Sequence, residues 1–440
     1  MATANAVISD DNPTSSQLIR MKAAVVVFSA ALFFFYEFMQ ISAFNTLGPA
    51  FVALFHVNAT KIGWLFSFYG VGNLVFLFIA GNILDRFSTR WIILIAMALS
   101  VIGTLYFSFV HYYWEAALCR FVTGIGGAFC LLSCIRIATR WISTHHLALV
   151  IGLIVTMAFL GGTMAQSPFT WLVDHVGWRD ALRIDALFGL VFIVIIYAFV
   201  QDFPKGLTTD IIQQQRKLHK TGLWKTVKTV ATKKQNWLGG IYTSLLNLPI
   251  FIIGGTWGIL FLVQAYHLDR QTAADITSMI FIGSMFGCPI IGQLSDRIGR
   301  RVVPMLICAI ISIAFILAIM YTPGLTFYPL LFLFFGLGFF TSSQIISYPL
   351  IAESNPPEMT GAAEGLASEL IMAGMFMPAL FGYLLHIGWS QKIVDQVPFY
   401  SVSNYRTAML IIPIAFIIGI ITTFFMTETY CKATSHHDHA

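Results

Sequence analysis

Long apolar runs alternate with short polar loops along almost the whole chain of 440 residues. A helix needs about 20 apolar residues to cross the hydrocarbon core of a bilayer. The pattern predicts about twelve such spans, which we number in chain order: 22–44, 61–80, 91–110, 115–138, 146–170, 182–201, 237–265, 273–294, 302–321, 327–350, 360–386 and 406–428. The sequence therefore predicts an all-α membrane protein.

One long polar segment divides the spans into two groups of six. The predicted organisation is a cytoplasmic tail at 1–21, a six-helix bundle at 22–201, a cytoplasmic linker at 202–236, a second six-helix bundle at 237–428 and a cytoplasmic tail at 429–440. The linker and the tails are the segments in which polar residues predominate, so they are expected outside the bilayer.

Composition agrees with a membrane protein. Hydrophobic residues make up 58% of the chain and charged residues 10%, and the mean hydropathy is +0.79. Soluble domains carry about 25% charged residues, so this chain could not cover its surface in water. The net charge of +5 is consequently no indication of nucleic-acid binding, and lipid is the expected surrounding. The six cysteines show neither a metal-ligand spacing nor a disulfide framework.

The distribution of positive charge predicts the orientation. With both termini placed in the cytoplasm, 18 of the 25 Lys and Arg residues fall in cytoplasmic segments and 6 in outer loops. Cytoplasmic loops of membrane proteins are enriched in Lys and Arg. We therefore expect an integral protein of a bacterial inner membrane with cytoplasmic N- and C-termini.

A charged signature occurs twice, each time between two apolar runs. The first copy is Gly81–Arg86, closing with Arg90, and the second is Gly292–Arg297, closing with Arg301. The two copies are 211 residues apart. Glycine is expected to permit a tight turn there, and the Asp can meet an Arg or a helix N-terminus and latch one bundle against another. An internal repeat of this kind is typical of transporter folds.

These features resemble the major facilitator superfamily (MFS) of secondary transporters. The match is carried by the two signature copies, by the Arg and Gly cluster at 118–127 in span four, and by Gly177-Trp178-Arg179 after span five. One departure is Ser88, where the family usually has Gly, and it predicts a different turn in the first copy.

The resemblance implies two pseudo-symmetric six-helix bundles around a central cavity lined by spans one, four, seven and ten, with alternating access. It also implies a gating or latch role for Gly81, Asp85, Arg86, Arg90, Gly292, Asp296, Arg297 and Arg301.

Ionisable residues inside a membrane core are costly and indicate function. The candidates for proton coupling are Glu37 in span one, Arg120 in span four and Glu369 in span eleven. Glu37 and Arg120 lie at about the same depth, roughly 10 Å below the outer surface. An ion pair is therefore expected between them, with Glu37 as the protonatable group and Arg120 as its counter-charge or as an anchor for an anion. A static pair that holds two helices together is the alternative reading.

Uncharged polar residues, most of them on the expected cavity-lining spans and two on spans two and five, are candidates for substrate binding. They are Gln40, Asn73, Gln166, Asn247, Trp257, Gln344 and Tyr348. Each could equally form a contact between helices.

Three functions remain open. The first is proton-coupled symport of a small organic solute, such as an organic acid or amino acid. The second is proton-coupled antiport that exports a drug, metabolite or siderophore, although Gly161-Gly162 precedes Pro168, unlike the order in drug exporters of the superfamily. The third is a receptor or scaffold that does not transport.

Other classes of function receive no support from the sequence. The chain has no phosphate-binding loop of the Walker type. We expect no enzyme activity, no cofactor, no metal and no nucleic-acid partner. The expected partners are a small-molecule substrate, protons and the lipid bilayer, and the expected oligomeric state is a monomer.

Overall fold

The computed structural model describes residues 13–142, 144–204, 223–356, 359–394 and 397–432. The helices of the first half are Pro13–Phe55, Ala59–Arg86, Thr89–Phe107, Tyr113–Gly127, Cys130–Trp141, Thr144–Met164, Ser167–Val176 and Trp178–Phe199. The helices that follow are Leu223–Thr232, Lys234–Leu246, Gly258–Tyr266, Arg270–Ile298, Val302–Tyr321, Phe327–Thr341, Ser347–Glu353, Thr360–Ala373, Met377–Ile387, Val402–Met409 and Ile411–Phe425. A π-helix at Ile250–Trp257 and 3₁₀ turns at Ser342–Ile346 and Gly374–Phe376 join pieces of spans seven, ten and eleven.

The strands are confined to one outer loop. Ile393–Val394 pairs antiparallel with Val397–Pro398, and these are the strands of the described residues. They connect spans eleven and twelve and add no layer to the fold.

Eleven helical segments of the described residues are long and apolar enough to cross a membrane. Span two, Ala59–Arg86, has 28 residues and is also long enough to cross a bilayer. Large apolar side chains such as Trp91 and Ile102 are more than half exposed. Such a surface suits lipid rather than water, and the chain is an all-α membrane protein with about twelve spans.

The two halves share a packing device. A Cβ added at Gly72 in span two would lie 2.3 Å from the carbonyl oxygen of Phe121 in span four. At Gly283 in span eight, the same addition would lie 2.1 Å from the carbonyl oxygen of Phe335 in span ten. Gly72 and Gly283 are 211 residues apart, the spacing of the repeated signature. Small residues allow helix backbones to approach closely in membranes, so the repeat extends to the packing of the bundles.

The expected turns at the signature glycines are wrong. Gly81 lies inside the helix that ends at Arg86, and Gly292 lies inside the helix that ends at Ile298. The turn residue of the second copy is Gly299, with φ +68°. In the first copy Ser88 has φ −59°, so that turn has a different geometry, which is consistent with Ser in place of Gly. The polar signature therefore begins within the last helical turns.

Two predicted boundaries shift. Span one begins at Pro13 and continues to Phe55, so residues 13–21 of the predicted tail are helical. The helix continues beyond residue 44, the predicted end of the span, because Phe51 is buried in the core and extends the apolar face. In the predicted linker, Leu223–Thr232 is helical and Val230 packs against the second half, whereas residues 205–222 lie outside the described residues.

Candidate functional site

Glu37 is fully buried between spans one, two and three. Its carboxylate accepts a hydrogen bond from Tyr69 Oη at 2.8 Å and a second from Ser100 Oγ. The expected ion pair is absent from the described residues, since no contact within 4.0 Å joins the carboxylate to Arg120. The two side chains agree in depth, as predicted, but hydroxyl groups occupy the positions next to Glu37.

Arg120 is 6% exposed, and its guanidinium is only partly bonded. Its Nη1 donates to the backbone carbonyl of Gln40 at 3.0 Å. The rings of Phe44, Phe66 and Tyr69 lie 5.0 to 5.7 Å from its central carbon, which is the geometry of cation–π contacts. In the described part of the chain its Nε and Nη2 have no hydrogen-bond partner. The positive charge of Arg120 thus lies among three aromatic rings, and its Nε and Nη2 atoms are available to donate hydrogen bonds.

Gln40 connects Arg120 to a further acidic residue, Asp185 in span six. The Gln40 amide donates to Asp185 Oδ2 at 2.6 Å and accepts from Thr104 Oγ1 at 2.8 Å. Asp185 is 1% exposed, and its Oδ1 has no partner among the described residues. Sequence reasoning missed Asp185 because an acidic residue near the start of a predicted span resembles one at the membrane surface.

A small cavity lies beside Arg120 within the first half. Spans one, three, four and six contribute its lining, which consists of Gln40, Ala43, Phe44, Leu47, Gly103, Thr104, Phe107, Cys119, Arg120, Thr123 and Leu182. Its polar wall combines an amide, two hydroxyl groups and the guanidinium. Arginine forms strong charge-assisted hydrogen bonds with carboxylates, so this wall can hold an anionic group.

The second half brings two of the predicted substrate residues together. Gln344 Nε2 donates to Asn247 Oδ1 at 3.0 Å, which joins spans ten and seven. Tyr348 is half-buried one helical turn after Gln344. Tyr242 and Ser343 form a neighbouring hydroxyl pair at 2.9 Å. These groups are neutral.

Three other predicted residues lie apart from this pair. The Trp257 indole donates to the carbonyl of Pro378 at 3.1 Å, so it packs against span eleven. Asn73 is buried in span two, and Glu369 is half-buried in span eleven. Each of the latter two has one buried oxygen without a partner in the described residues.

Gln166 joins the halves at the outer end, the end that contains the loop between spans one and two. Its amide donates to the carbonyls of Ser42 and Gly254 at 3.1 and 2.8 Å. Asn45, which sequence reasoning missed, donates to the carbonyls of Ile253 and Gly254 at 2.9 and 3.1 Å. In the π-helix, the Ile253 carbonyl also accepts from the backbone N–H of Gly258, five residues later, instead of from the usual α-helical partner. We call Asn45, Gln166 and the π-helix the outer clasp.

An ion pair reinforces the outer clasp. Arg270 at the start of span eight contacts Asp174 at the end of span five, and it also donates to the carbonyl of Thr46 at 2.6 Å. Among the described residues, the hydrogen bonds between the halves concentrate at this outer end.

The second signature copy forms a cluster within its own half. Arg301 bonds Asp296 at 2.5 Å and Glu353, at the end of span ten, at 2.6 Å. Burial opposes the charge, but these hydrogen bonds hold the pKa of Arg301 above its usual range. Glu428 accepts from the Arg301 backbone at 2.6 Å. The arginine that Asp296 contacts belongs to the same bundle, so the latch role of Asp296 between the bundles stays a prediction. Arg297 is exposed.

The first copy is described only in part. The side chains of Asp85 and Arg86 lie outside the described residues. Arg90 donates through Nη2 to the carbonyl of Tyr197 at 2.5 Å, and its backbone N–H donates to Asp202 at 3.0 Å. This copy thus also contacts the chain that leaves the last span of its own half.

Comparison with known proteins agrees with this architecture. The chain is 26% identical over 350 residues to the lysosomal dipeptide transporter MFSD1 of Bos taurus, covering 74% of this chain and 73% of that protein. It is 23% identical over 352 residues to the membrane sensor protein UhpC of Salmonella typhimurium, covering 76% and 78%. The crystal structure of a bacterial homologue of the human lysosomal transporter Spinster, in an inward-facing and unoccupied conformation, superposes with a TM-score of 0.71 at 16% identity, covering 92% of this chain and 96% of that one.

At that identity the structural likeness shows the fold alone. The sequence profile of the Major Facilitator Superfamily matches residues 27–374 and 241–435, which together cover most of the chain. The duplicated signature, the paired helix contacts and this match lead to one conclusion: the chain belongs to the Major Facilitator Superfamily.

Proposed function

We propose that this protein is a proton-coupled symporter that moves a small organic solute with a carboxylate group. The observation that carries the proposal is Arg120, a buried guanidinium beside a polar-walled cavity, whose Nε and Nη2 atoms have no hydrogen-bond partner among the described residues. A buried charge without a full set of partners is expensive, and an anionic solute would supply the missing hydrogen bonds. A structural arginine would instead be expected to have its donors satisfied by the protein.

Proton coupling follows from the buried acids near Arg120. Glu37 is held by hydroxyl groups that can donate to a carboxylate or rotate to accept from a carboxyl. Buried acids in transporters are common members of proton relays. With a monoanionic organic acid, the co-transported proton makes the translocated charge neutral, which lowers the cost of crossing a low-dielectric core. With a zwitterionic amino acid or dipeptide, the proton adds one positive charge, and the membrane potential can drive that charge across the membrane.

The two halves have different proposed roles. The first half supplies the charged groups, and Asn247, Gln344 and Tyr348 of the second half would orient the uncharged part of the solute. The outer clasp holds the outer end closed, which supports an inward-facing state. The proposed topology has cytoplasmic termini in a bacterial inner membrane, two bundles at 22–201 and 237–428, and a monomeric transporter.

Dipeptides are the first solutes to test. A relative over three quarters of this chain is named a lysosomal dipeptide transporter, and a dipeptide carries the carboxylate that Arg120 can bind. Amino acids and organic acids share that group.

The test is proton flux in proteoliposomes that contain the purified protein and a pH-sensitive dye. The panel comprises dipeptides, amino acids, organic acids, sugars, siderophores and cationic dyes. We expect a carboxylate solute to drive proton movement in its own direction, and we expect Glu37→Gln to impair this movement. Counter-movement of protons would instead establish antiport, and coupled flux at the wild-type rate in Glu37→Gln would remove Glu37 from the coupling mechanism.

A sensor is the second candidate, because another relative of similar coverage is named a membrane sensor protein. A sensor would bind solute without carrying it. Thermal stabilisation by a panel solute, together with no flux of that solute in the same preparation, would favour the sensor and contradict the symporter.

A further inference from the structure

The buried interior of the first half contains more negative than positive ionisable groups. Among its described residues, the buried side chains of acidic and basic residues are the carboxyls of Glu37 and Asp185 and the guanidinium of Arg120. If both carboxyls were ionised, this interior would carry one uncompensated negative charge. An isolated buried charge is strongly unfavourable, and such a group becomes neutral instead. One proton must therefore reside on one of the two carboxyls.

The hydrogen bonds distinguish the two carboxyls. Glu37 accepts from two hydroxyl groups, one at each oxygen, and these donors favour its ionised form. Asp185 accepts from the Gln40 amide alone, and its Oδ1 is buried with no partner in the described part of the chain. A neutral carboxyl tolerates such a site better than a carboxylate does.

We infer that Asp185, rather than Glu37, carries the buried proton in this conformation and is a coupling residue of the transporter. Glu37 is then the ionised carboxylate whose negative charge balances the positive charge of Arg120 without a direct contact. The physiological meaning of this assignment rests on the proposed symport function. It makes Asp185, instead of Glu37, the residue that binds the transported proton.

Gln40 links the charge of Asp185 to Arg120. Its amide contacts Asp185 at 2.6 Å, and its backbone carbonyl accepts from Arg120 at 3.0 Å. When a solute carboxylate pairs with Arg120, that positive charge is no longer available to balance a second buried anion, so Asp185 keeps its proton. When the solute leaves, Glu37 again balances Arg120, and Asp185 releases its proton only after a conformational change lets cytoplasmic water reach its carboxyl. The proton binds a carboxylate oxygen from the outer solution and leaves to the cytoplasm, and no other bond changes.

The surroundings of Asp185 contain few other titratable groups. Span six packs against spans one and three and against the last helix of span five. The titratable or charged residues on these elements and on span six near Asp185 are Tyr36, Glu37, Asp174, His175, Asp180 and Arg183. Asp174, His175 and Asp180 are exposed at the outer end, and span three contributes the hydroxyl groups of Ser100 and Thr104.

The first experiment measures the proton directly and needs no solute. A protonated carboxyl has a C=O stretching band that a carboxylate lacks, and infrared difference spectra of the wild type, Asp185→Asn and Glu37→Gln locate it. We expect the band of one buried carboxyl to disappear in Asp185→Asn and to remain in Glu37→Gln. Loss in Glu37→Gln alone, loss in both variants, or loss in neither would each overturn the assignment.

Asparagine is chosen at position 185 so that the variant is expected to fold like the wild type. Asn can still accept the hydrogen bond from Gln40, so Asp185→Asn should retain the melting temperature of the wild type. If it does not fold, Asp185→Glu provides the second test, because it should keep a protonated-carboxyl band at a shifted frequency. An unshifted band in Asp185→Glu would overturn the assignment.

The transport arm uses alanyl-alanine as the probe in proteoliposomes. We expect Asp185→Asn to keep exchange of labelled dipeptide across the membrane within about threefold and to lose proton-driven accumulation at least tenfold. Accumulation at the wild-type level would overturn the coupling role. If the wild type carries neither dipeptide nor any other panel solute, the proposed function fails, whereas the infrared result still decides where the buried proton lies.

Discussion

The interiors of the two halves differ more than their frameworks do. The first half buries Glu37, Arg120 and Asp185 between its helices, whereas the corresponding interior of the second half joins Asn247 to Gln344 through a neutral hydrogen bond. The frameworks remain alike, down to close glycine contacts between spans two and four and between spans eight and ten. Among the described residues, a duplicated fold can therefore keep its packing while only one copy buries charge in the interior between its spans.

The ends of the two halves opposite the outer clasp show the same contrast in a milder form. Asp202, just after the last span of the first half, accepts from the backbone at the start of span three. Glu428, just after the last span of the second half, accepts from the backbone at the start of span nine. At the end of span four Arg140 meets an acid, whereas at the end of span ten Glu353 meets an arginine. The two halves thus place an ion pair at the same end of spans four and ten, but the residue on the span is positive in the first half and negative in the second.

The largest expected effect comes from changing the charged interior of the first half. Arg120→Lys keeps the charge but removes the planar set of donors that can bind a carboxylate with two hydrogen bonds. We expect the rate of solute uptake to fall about 100-fold, equivalent to about 2.7 kcal/mol of lost stabilisation. Uptake of labelled solute into proteoliposomes measures it.

Arg183→Lys is the matched control, because Arg183 lies in span six with its side chain 45% exposed. A fall of similar size in both variants would show that Arg120 has no special role and that the charged interior is not the binding region.

The next effect concerns the contact between the halves. Asn45→Ala removes the Asn45 oxygen that accepts from the buried Ile259 N–H at 3.2 Å, together with the donor to the carbonyls of Ile253 and Gly254, at a cost of about 1–3 kcal/mol. We expect the equilibrium to shift about tenfold or more towards states with an open outer end. Distances between spin labels at the outer ends of the two halves report this shift.

Gln264→Ala is the control for the outer clasp. Gln264 is buried and bonds to Pro398 and Tyr405 within the second half. Its loss should lower the melting temperature without changing the distribution of distances. An unchanged distribution in Asn45→Ala would contradict the assignment of the clasp.

A smaller effect is expected at the charged cluster that Arg301 forms with Asp296 and Glu353 in the second half. Arg301→Met leaves Glu353 with fewer partners at a nearly buried position, and we expect a loss of about 2 kcal/mol of stability. Arg297→Met, at an exposed position of the same signature, should change stability by less than about 0.5 kcal/mol. Thermal unfolding in detergent compares the two variants, and equal melting temperatures would be inconsistent with the cluster.

The smallest effect compares glycines of the two signature copies. No atom lies within 4 Å of a Cβ added at Gly81 or Gly292, and both are helical. Alanine at either position should therefore stabilise the helix by up to about 1 kcal/mol. Gly299→Ala should destabilise by about 1 kcal/mol, because Gly299 has φ +68°. Destabilisation by alanine at both Gly81 and Gly292 would restore the turn interpretation. Melting temperatures in detergent provide the measurement.

The linear pattern predicted most of the fold. Apolar runs longer than about 20 residues predict spans, because the bilayer sets a minimum length. The repeated signature predicted the duplication, and the buried positions of Glu37 and Arg120 were visible as ionisable residues within apolar runs. The signature glycines were misread as turn residues because a polar stretch after a span looks like a loop, even where the helix continues through it.

What the sequence alone determined is the number of spans, their grouping into two sets and the depth of each polar residue along its own helix. These depend on local spacing, because each helical residue advances the chain by about 1.5 Å. Only the tertiary structure decided which polar groups meet: Glu37 with Tyr69 rather than Arg120, Gln40 with Asp185, and Asn45 with the π-helix. Such pairings depend on how each helix is rotated about its axis and on which helices pack together, and neither property is encoded in the spacing of a single span.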